Sequence, residues 1–170
     1  MPLEPVIRNG RVEVDAWRFL DAAEAAGGLP GGPIAVPLSA WDACREELLG
    51  GHDPIGVWLS PEDDPAALKR DLNLIDLVAV HFPKFADGRG YSTGALLRGR
   101  FGFEGELRAF GDIGRDHLLQ LARCGFDAFS LGPGRDPHAA LAAFGELSVR
   151  YQGSVEDPVP LFRKRSGLHG

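Results

Sequence analysis

Three short segments pair glycine with arginine at a spacing that suits the binding of an anion. They are 87–90 (Asp-Gly-Arg-Gly), 111–115 (Gly-Asp-Ile-Gly-Arg) and 132–136 (Gly-Pro-Gly-Arg-Asp). Glycine allows a backbone to approach a ligand closely, and the guanidinium of arginine binds an oxyanion through two parallel hydrogen bonds. Each segment precedes a helical pattern, and the free N–H groups of a helix N-terminus also favour negative charge. The predicted chemistry is the binding of phosphate, sulfate, sulfite or a carboxylate.

The first of these segments supplies most of the predicted ligand contacts, and each of the others supplies one arginine. The predicted ligand-binding residues are Lys84, Asp87, Gly88, Arg89, Gly90, Tyr91, Ser92, Arg115 and Arg135. In the alternative interpretation the glycines only shape turns, and the arginines form ion pairs with the nearby Asp87, Asp112 and Asp136. Both interpretations stay open at the level of sequence.

Three residues are candidates for acid–base chemistry, although the sequence identifies no catalytic residue. Asp87 and Asp112 lie in the first two glycine–arginine segments, and His81 ends an apolar run. Histidine titrates near neutral pH, which suits proton transfer, but a packed core histidine is the alternative. Asp112 could instead cap a helix that begins near Ile113.

Hydrophobic patterns divide the chain into strands and helices that alternate. A hairpin is predicted around Asn9-Gly10, because both residues tolerate the positive φ of a tight turn. Apolar runs predict five further strands, at 34–38, 55–59, 75–82, 106–110 and 126–131. Helical patterns are found at 16–26, 39–49, 66–72, 92–101, 115–124 and 137–147. Strands separated by helices form parallel sheets.

The predicted fold class is therefore α/β, with one domain and a mainly parallel sheet of about five strands flanked by helices. The sheet is either open and doubly wound or a partial β/α barrel, since five units are too few to close an eight-stranded barrel. Residues 1–33 form the N-terminal hairpin and first helix of the same domain, 34–150 form the α/β core, and 151–170 form a tail that we expect to be flexible. The tail is basic near its end, so a docking peptide is the alternative. The predicted core includes Val57, Leu77, Val78, Val80, Phe82, Leu107, Leu118, Leu121, Phe126 and Phe129.

Composition and charge argue against several classes of protein. The net charge of −6 is unlike the basic footprint of a general nucleic-acid binder. Residues 1–80 carry 6 basic and 14 acidic side chains, and residues 81–170 carry 12 and 10, so the second half is more favourable to an anion. No apolar run approaches the ~20 residues of a membrane span, and no signal peptide opens the chain. We expect a cytoplasmic protein that binds neither nucleic acid nor membrane.

Motifs for tightly bound cofactors and metals are missing from the sequence. Cys44 and Cys124 are far apart and form no CxxC pair, and no His/Cys set has the spacing of metal ligands. No GxGxxG motif follows a predicted strand. We therefore expect no resident flavin, nicotinamide, haem or metal.

Residues 74–131 contain the stretches FPKFADGRGYS, LLRGRFGFEGELRAFGDI and RDHLLQLARCGFDAFSL. In these stretches the chain resembles a bacterial family of uncharacterised proteins that are labelled probable oxidoreductases and are commonly encoded beside assimilatory sulfite reductase. The resemblance carries over no catalytic residues. It implies a link to sulfur assimilation, with sulfite reductase as a partner.

The resemblance and the residues together leave three functions open, and the last of them is a purely structural partner that binds no ligand. The first is an accessory protein of assimilatory sulfate and sulfite reduction, which binds the reductase or an anionic ligand and leaves electron transfer to a cofactor-bearing partner. The second is a small enzyme that acts on an anionic metabolite at the loops that follow the strands, with Asp87, Arg89 and Asp112 as its working residues. Whether the protein is an enzyme is left open.

Overall fold

The computed structural model describes residues 4–52, 54–84 and 87–152 of the chain. The strands are β1 (Pro5–Arg8), β2 (Arg11–Val14), β3 (Arg18–Phe19), β4 (Ile34–Pro37), β5 (Ile55–Leu59), β6 (Leu77–Phe82), β7 (Glu106–Gly111) and β8 (Ala128–Ser130). The α-helices are α1 (Ala22–Ala26), α2 (Leu38–Gly51), α3 (Arg89–Ala95), α4 (Leu118–Arg123) and α5 (Pro137–Gln152). A π-helical turn, Leu96–Arg100, extends α3, and 3-10 turns occupy Pro65–Leu68, Leu72–Leu74 and Arg115–His117.

All eight strands belong to one sheet, in the order β2-β1-β8-β7-β6-β5-β4-β3. Neighbours from β3 to β8 pair in parallel, whereas the β1–β2 hairpin is antiparallel and joins the sheet beside β8. The sheet curls into a half-barrel. The predicted α/β class and hairpin are confirmed, and Asn9 and Gly10 have φ values of 51° and 77° as the turn requires. The predicted count of about five strands is too low.

The parallel strand that the sequence analysis missed is β3, which lies inside the predicted helix 16–26. Here the backbone N–H of Arg18 donates to the oxygen of Pro33 at 3.0 Å, and that of Leu20 donates to Ala35 at 2.9 Å. Helix α1 begins only after Asp21, whose carboxylate accepts the N–H of Glu24 while the Glu24 carboxylate accepts the N–H of Asp21. This reciprocal capping box ends the strand segment and starts the helix. The predicted helix 66–72 is also wrong, since two 3-10 turns occupy that region.

The connection from β2 to β3 requires the sheet to curl. These strands lie at opposite edges of the sheet, yet only residues 15–17 separate them. A flat sheet of this order would be about 34 Å wide, at ~4.8 Å for each strand spacing. The four Cα-to-Cα intervals from Val14 to Arg18 span at most about 14 Å. The two edges must therefore come close together, which gives the sheet an inner and an outer face.

Helices cover the outer face, where most of the core lies. In α2, Trp41, Cys44 and Leu48 recur at helical spacing and are buried against the sheet. All ten predicted core residues are buried. Nine of them belong to the large cluster that packs against the helices. Leu77 lies with Ala35 and Ala79 in a smaller cluster whose described members include no helical residue. The smaller cluster occupies the inner face, with Trp17, Phe19, Trp58 and Phe110 packed around it.

A buried arginine holds the β2–β3 connection against the inner face. Arg108 of β7 is 0% exposed, and its Nη1 lies 2.7 Å from Oδ2 of Asp15 in the connection. Its Nη2 lies 2.8 Å from Oε1 of Glu106, and its guanidinium lies 5.7 Å from the centre of the Phe19 ring. The ion pairs compensate a charge that would otherwise be costly to bury.

A second ion pair fastens the π-helical turn to the segment that leads into β8. Arg98 donates hydrogen bonds to the carbonyl oxygens of Gly125, Phe103 and Gly105 and lies 3.2 Å from Oδ1 of Asp127. Burial raises the pKa of Asp127 to about 6.

In the described part of the chain, no helix is both long and apolar enough to cross a membrane.

Replacing Arg108 with Met is expected to destabilise the fold by about 3 kcal/mol, because the half-buried Asp15 would lose its ion-pair partner and Glu106 would keep only Arg8. Urea unfolding gives the free energy, and the exposed Arg11→Met is the matched control, expected to change it by less than ~0.5 kcal/mol. Equal losses in the two variants would contradict the role given to Arg108.

The free energy of unfolding is expected to depend on the protonation of Asp127. Because the folded-state pKa is raised above the unfolded value of ~3.9, the stabilisation is complete below pH ~4 and is lost as the pH rises through about 6. Between pH 4 and 7, wild type should lose about 3 kcal/mol relative to Asp127→Asn, which cannot titrate. Parallel pH profiles of the two proteins would show that Asp127 is not the group responsible.

Candidate functional site

The loops that follow β6, β7 and β8 meet at the carboxyl edge of the sheet, where ligands bind in open α/β folds. The backbone N–H of Asp112 donates to the oxygen of Phe82 at 2.7 Å and joins the β7 loop to the end of β6. This arrangement needs glycine at position 111, where φ is 111° and a Cβ would collide with the Phe82 carbonyl. The carboxyl edge is therefore held in place by backbone geometry.

In the first loop, Asp87 and Arg89 bind each other. Nη2 of Arg89 lies 2.6 Å from Oδ2 of Asp87, and the backbone N–H of Arg89 donates to Oδ1 at 3.1 Å. The hydrogen bonds from Arg89 hold the pKa of Asp87 down at about 2. Glu62, from the loop after β5, lies 3.8 Å from the same Nη2. Two carboxylates thus balance the one guanidinium.

The other predicted residues of the first loop differ in exposure. Lys84, Gly88 and Ser92 are exposed, whereas Gly90 is buried against the Phe82 ring, which a Cβ would strike. Tyr91 is half-buried, packs edge-on against Phe82 at 5.4 Å, and has its pKa raised by burial.

Arg115 and Arg135 lie together in one pocket at this edge. The pocket has a volume of about 260 Å³ and is lined by Arg115, Asp116, Leu131, Arg135, Asp136, Ala139 and Ala140. Of the three predicted arginines, the structure places these two together, and Arg89 is not among the lining residues. We call this cavity the Arg115–Arg135 pocket.

Two glycines form a seat for Arg135. A Cβ at Gly114 would collide with the guanidinium of Arg135, and a Cβ at Gly132 would lie 3.3 Å from its Nε. The side chain can therefore reach back to Asp112, where Nη2 lies 3.3 Å from Oδ1. Arg135 and Asp112 are 43% and 41% exposed, so solvent weakens this ion pair and leaves the cation accessible. These glycines were predicted to shape turns or to admit a ligand, and their contact with Arg135 was not predicted.

Arg115 begins the 3-10 turn that leads into α4. Its Nε lies 3.8 Å from Oδ1 of Asp116, and both side chains are largely exposed, so the pair contributes little. The N–H of Gly114 donates to Nδ1 of His117 at 2.9 Å. The turn thus begins at Arg115 rather than near Ile113, and His117 accepts at its N-terminus.

His81, the third acid–base candidate, lies on the inner face instead of in the pocket. Its ring stacks on Phe110 with centres 4.8 Å apart and meets Trp58 edge-on at 6.3 Å. Burial lowers its pKa, so the neutral imidazole predominates at pH 7. Among the described residues, no group of three or more His, Cys, Asp or Glu side chains is arranged to hold a metal ion.

Replacing Gly114 with Ala should displace Arg135 from its seat at little cost to stability, because the flexible end of the side chain can move away. We expect sulfate to raise the melting temperature of the wild-type protein and to raise that of Gly114→Ala less. Gly50→Ala, in an open part of α2, is the control and should keep the wild-type response. An unchanged sulfate response in Gly114→Ala would show that the seat does not matter for binding.

Comparison with known proteins places the chain in a family. A search of curated proteins found no match. The model of a bacterial protein family of unknown function, DUF934, matches residues 56–162. That span covers more than half of the chain and includes all three glycine–arginine loops. The chain therefore belongs to the bacterial family DUF934.

Proposed function

We propose that this protein is an accessory protein of assimilatory sulfate and sulfite reduction that binds an inorganic oxyanion in the Arg115–Arg135 pocket. The main support for an anion site is that two arginines from successive loops line one pocket at the carboxyl edge. The assignment to this pathway is based on the resemblance of residues 74–131 to a family encoded beside sulfite reductase.

The chemistry of the pocket fits a small tetrahedral anion. Two guanidiniums can each donate two hydrogen bonds to an oxyanion. The first turn of α5 lies at the same pocket through Ala139 and Ala140, and its helix dipole favours negative charge. Asp136 accepts the N–H of His138 at 2.9 Å. The carboxylates of Asp112, Asp116 and Asp136 compete with the anion for the guanidiniums of Arg115 and Arg135. Binding should therefore be modest and should weaken with salt.

Electron transfer is assigned to a partner. Reduction of sulfite to sulfide takes six electrons and needs a cofactor-bearing enzyme. The sequence of this chain has no dinucleotide-binding glycine motif and no cysteine pair. The protein would then bind sulfite reductase, or hold the anion that the reductase consumes.

Replacing Arg135 with Gln is expected to weaken binding of sulfate and sulfite by ~1.5–3 kcal/mol, because charged hydrogen bonds to the anion are lost. Calorimetric titration measures the affinity, and Arg100→Gln, at the end of the π-helical turn, is the exposed control. Arg89→Ala should have a smaller effect than Arg135→Gln, since Arg89 is not among the residues that line the pocket. Equal affinities for wild type and Arg135→Gln would remove the pocket from the proposal.

A strain that lacks the gene is expected to grow with cysteine but poorly with sulfate or sulfite as its only sulfur source. The Arg135→Gln allele should restore growth less well than the Arg100→Gln allele. Normal growth of the deletion strain on sulfite, with unchanged reductase activity in extracts, would contradict the assignment to this pathway.

The second candidate function is a small enzyme that acts on an anionic metabolite at the carboxyl edge. It is favoured by His81, a half-buried and neutral imidazole at the end of a central strand. Asp87 is poorly suited to be its base, because its ion pair with Arg89 keeps the carboxylate weakly basic. Turnover of an anionic substrate that is lost in His81→Gln but kept in Arg135→Gln would favour this enzyme over the accessory protein.

A further inference from the structure

The inner face of the curled sheet has an aromatic end at its carboxyl edge. In the sheet register, His81 of β6 pairs with Phe110 of β7, and Phe110 pairs with Ser130 of β8, so these side chains lie in one row. Trp58 of β5 contacts both His81 and Phe110 through its ring. We call these four residues the inner mouth. All four are half-buried, so each keeps some surface open to solvent.

Below the inner mouth the interior is filled. Arg108, Leu77 and Ala79 are fully buried one or two rows further from the carboxyl edge. Trp17 packs over Gly56, where a Cβ would lie 2.8 Å from the indole. A packed interior with an accessible carboxyl end is the arrangement in which β/α barrels bind their ligands.

Contacts around the inner mouth fix the orientation of its rings. The indole N–H of Trp58 donates to the oxygen of Leu20 at 2.8 Å. The ring of Phe19 meets Phe110 edge-on with centres 4.9 Å apart. Gly111 gives His81 its space, because a Cβ there would lie 2.9 Å from Cδ2 of the imidazole. Rings held in this way lose little freedom when a ligand binds.

The imidazole of His81 differs from the other rings of the inner mouth in its two polar nitrogen atoms. Within residues 4–52, 54–84 and 87–145, no hydrogen bond reaches either ring nitrogen of His81; its ring contacts are those with Trp58 and Phe110. The neutral imidazole offers one N–H donor and one nitrogen acceptor. A purely hydrocarbon ligand would desolvate these groups without pairing them, which costs free energy.

We propose that the inner mouth is a binding site for a planar nitrogen heteroaromatic ring. The ring stacks on the aromatic side chains and forms a hydrogen bond with a ring nitrogen of His81. Aromatic stacking of this kind favours offset or edge-on geometry, which the neighbouring rings already show. The proposal is independent of the oxyanion site, because it uses no arginine of the Arg115–Arg135 pocket.

Titration of the full chain with adenosine, nicotinamide and toluene tests this site. None of the three probes carries a phosphate or other anionic group, so the oxyanion pocket does not contribute. Adenosine or nicotinamide should bind saturably and shift the ¹⁵N resonances of the His81 imidazole, and toluene should not saturate. His81→Phe keeps an aromatic ring but removes both nitrogens, and it should weaken heteroaromatic binding at least tenfold. His138→Phe, at an exposed position of α5, should leave binding unchanged.

The ¹⁵N shift in the wild-type protein keeps the test decisive if a variant fails to fold. Saturable binding without any change at the His81 nitrogens would overturn the proposal, as would undiminished binding by a folded His81→Phe. Failure of both heteroaromatic probes to bind saturably would overturn it as well.

Discussion

The short connection between β2 and β3 is the constraint on which the rest of the structure depends. Three residues link strands at opposite edges of an eight-stranded sheet, and so the sheet has to curl. The ion pair of Asp15 with the fully buried Arg108 fastens this connection to the centre of the sheet. Once the sheet is curled, the helices cover its outer face, and the inner face is left with a small aromatic core and a buried charge network.

The curl also separates two kinds of chemistry at the carboxyl edge. The loops after β7 and β8 turn towards the helices and bring Arg115 and Arg135 to one pocket. His81 of β6 and Phe110 of β7 point to the inner face and stack there, so they form an aromatic surface that includes one imidazole. We propose a small anion as the ligand of the pocket and an uncharged ring as the ligand of the inner mouth. Neither site requires the other.

Much of the fold could be predicted because strongly apolar strands and amphipathic helices leave a clear pattern, and 55–59 was predicted to the residue. The strand β3 was missed because its two residues adjoin a helix-forming stretch. The capping box at Asp21 and Glu24 was the available signal that the helix begins later. The curl was predicted only as one of two alternatives, the partial β/α barrel, because the choice between an open and a curled sheet depends on strand order, which no local pattern reveals.

The residue types of the candidate site could be predicted from the sequence, but the ion pairs and contacts that these residues form could not. Sequence spacing indicated three glycine–arginine loops that follow strands, but it could not show that Arg89 binds Asp87 and Glu62. Nor could it show that Arg135 crosses to Asp112. Nor could it show that Gly114 and Gly132 seat Arg135, because that contact joins loops from different strands. Of the four residues of the inner mouth, only His81 was predicted as a site residue, and its partners come from neighbouring strands.

The central functional claim is that the Arg115–Arg135 pocket holds a tetrahedral oxyanion. Selenate has the shape and charge of sulfate, and its selenium gives an anomalous X-ray signal. The most direct measurement is therefore an anomalous difference map from crystals of the protein grown with selenate. The account predicts a selenium peak between the guanidiniums of Arg115 and Arg135, and its absence from crystals of Arg135→Gln. A strongest peak at another surface, or no peak in the pocket at saturating selenate, would contradict the account.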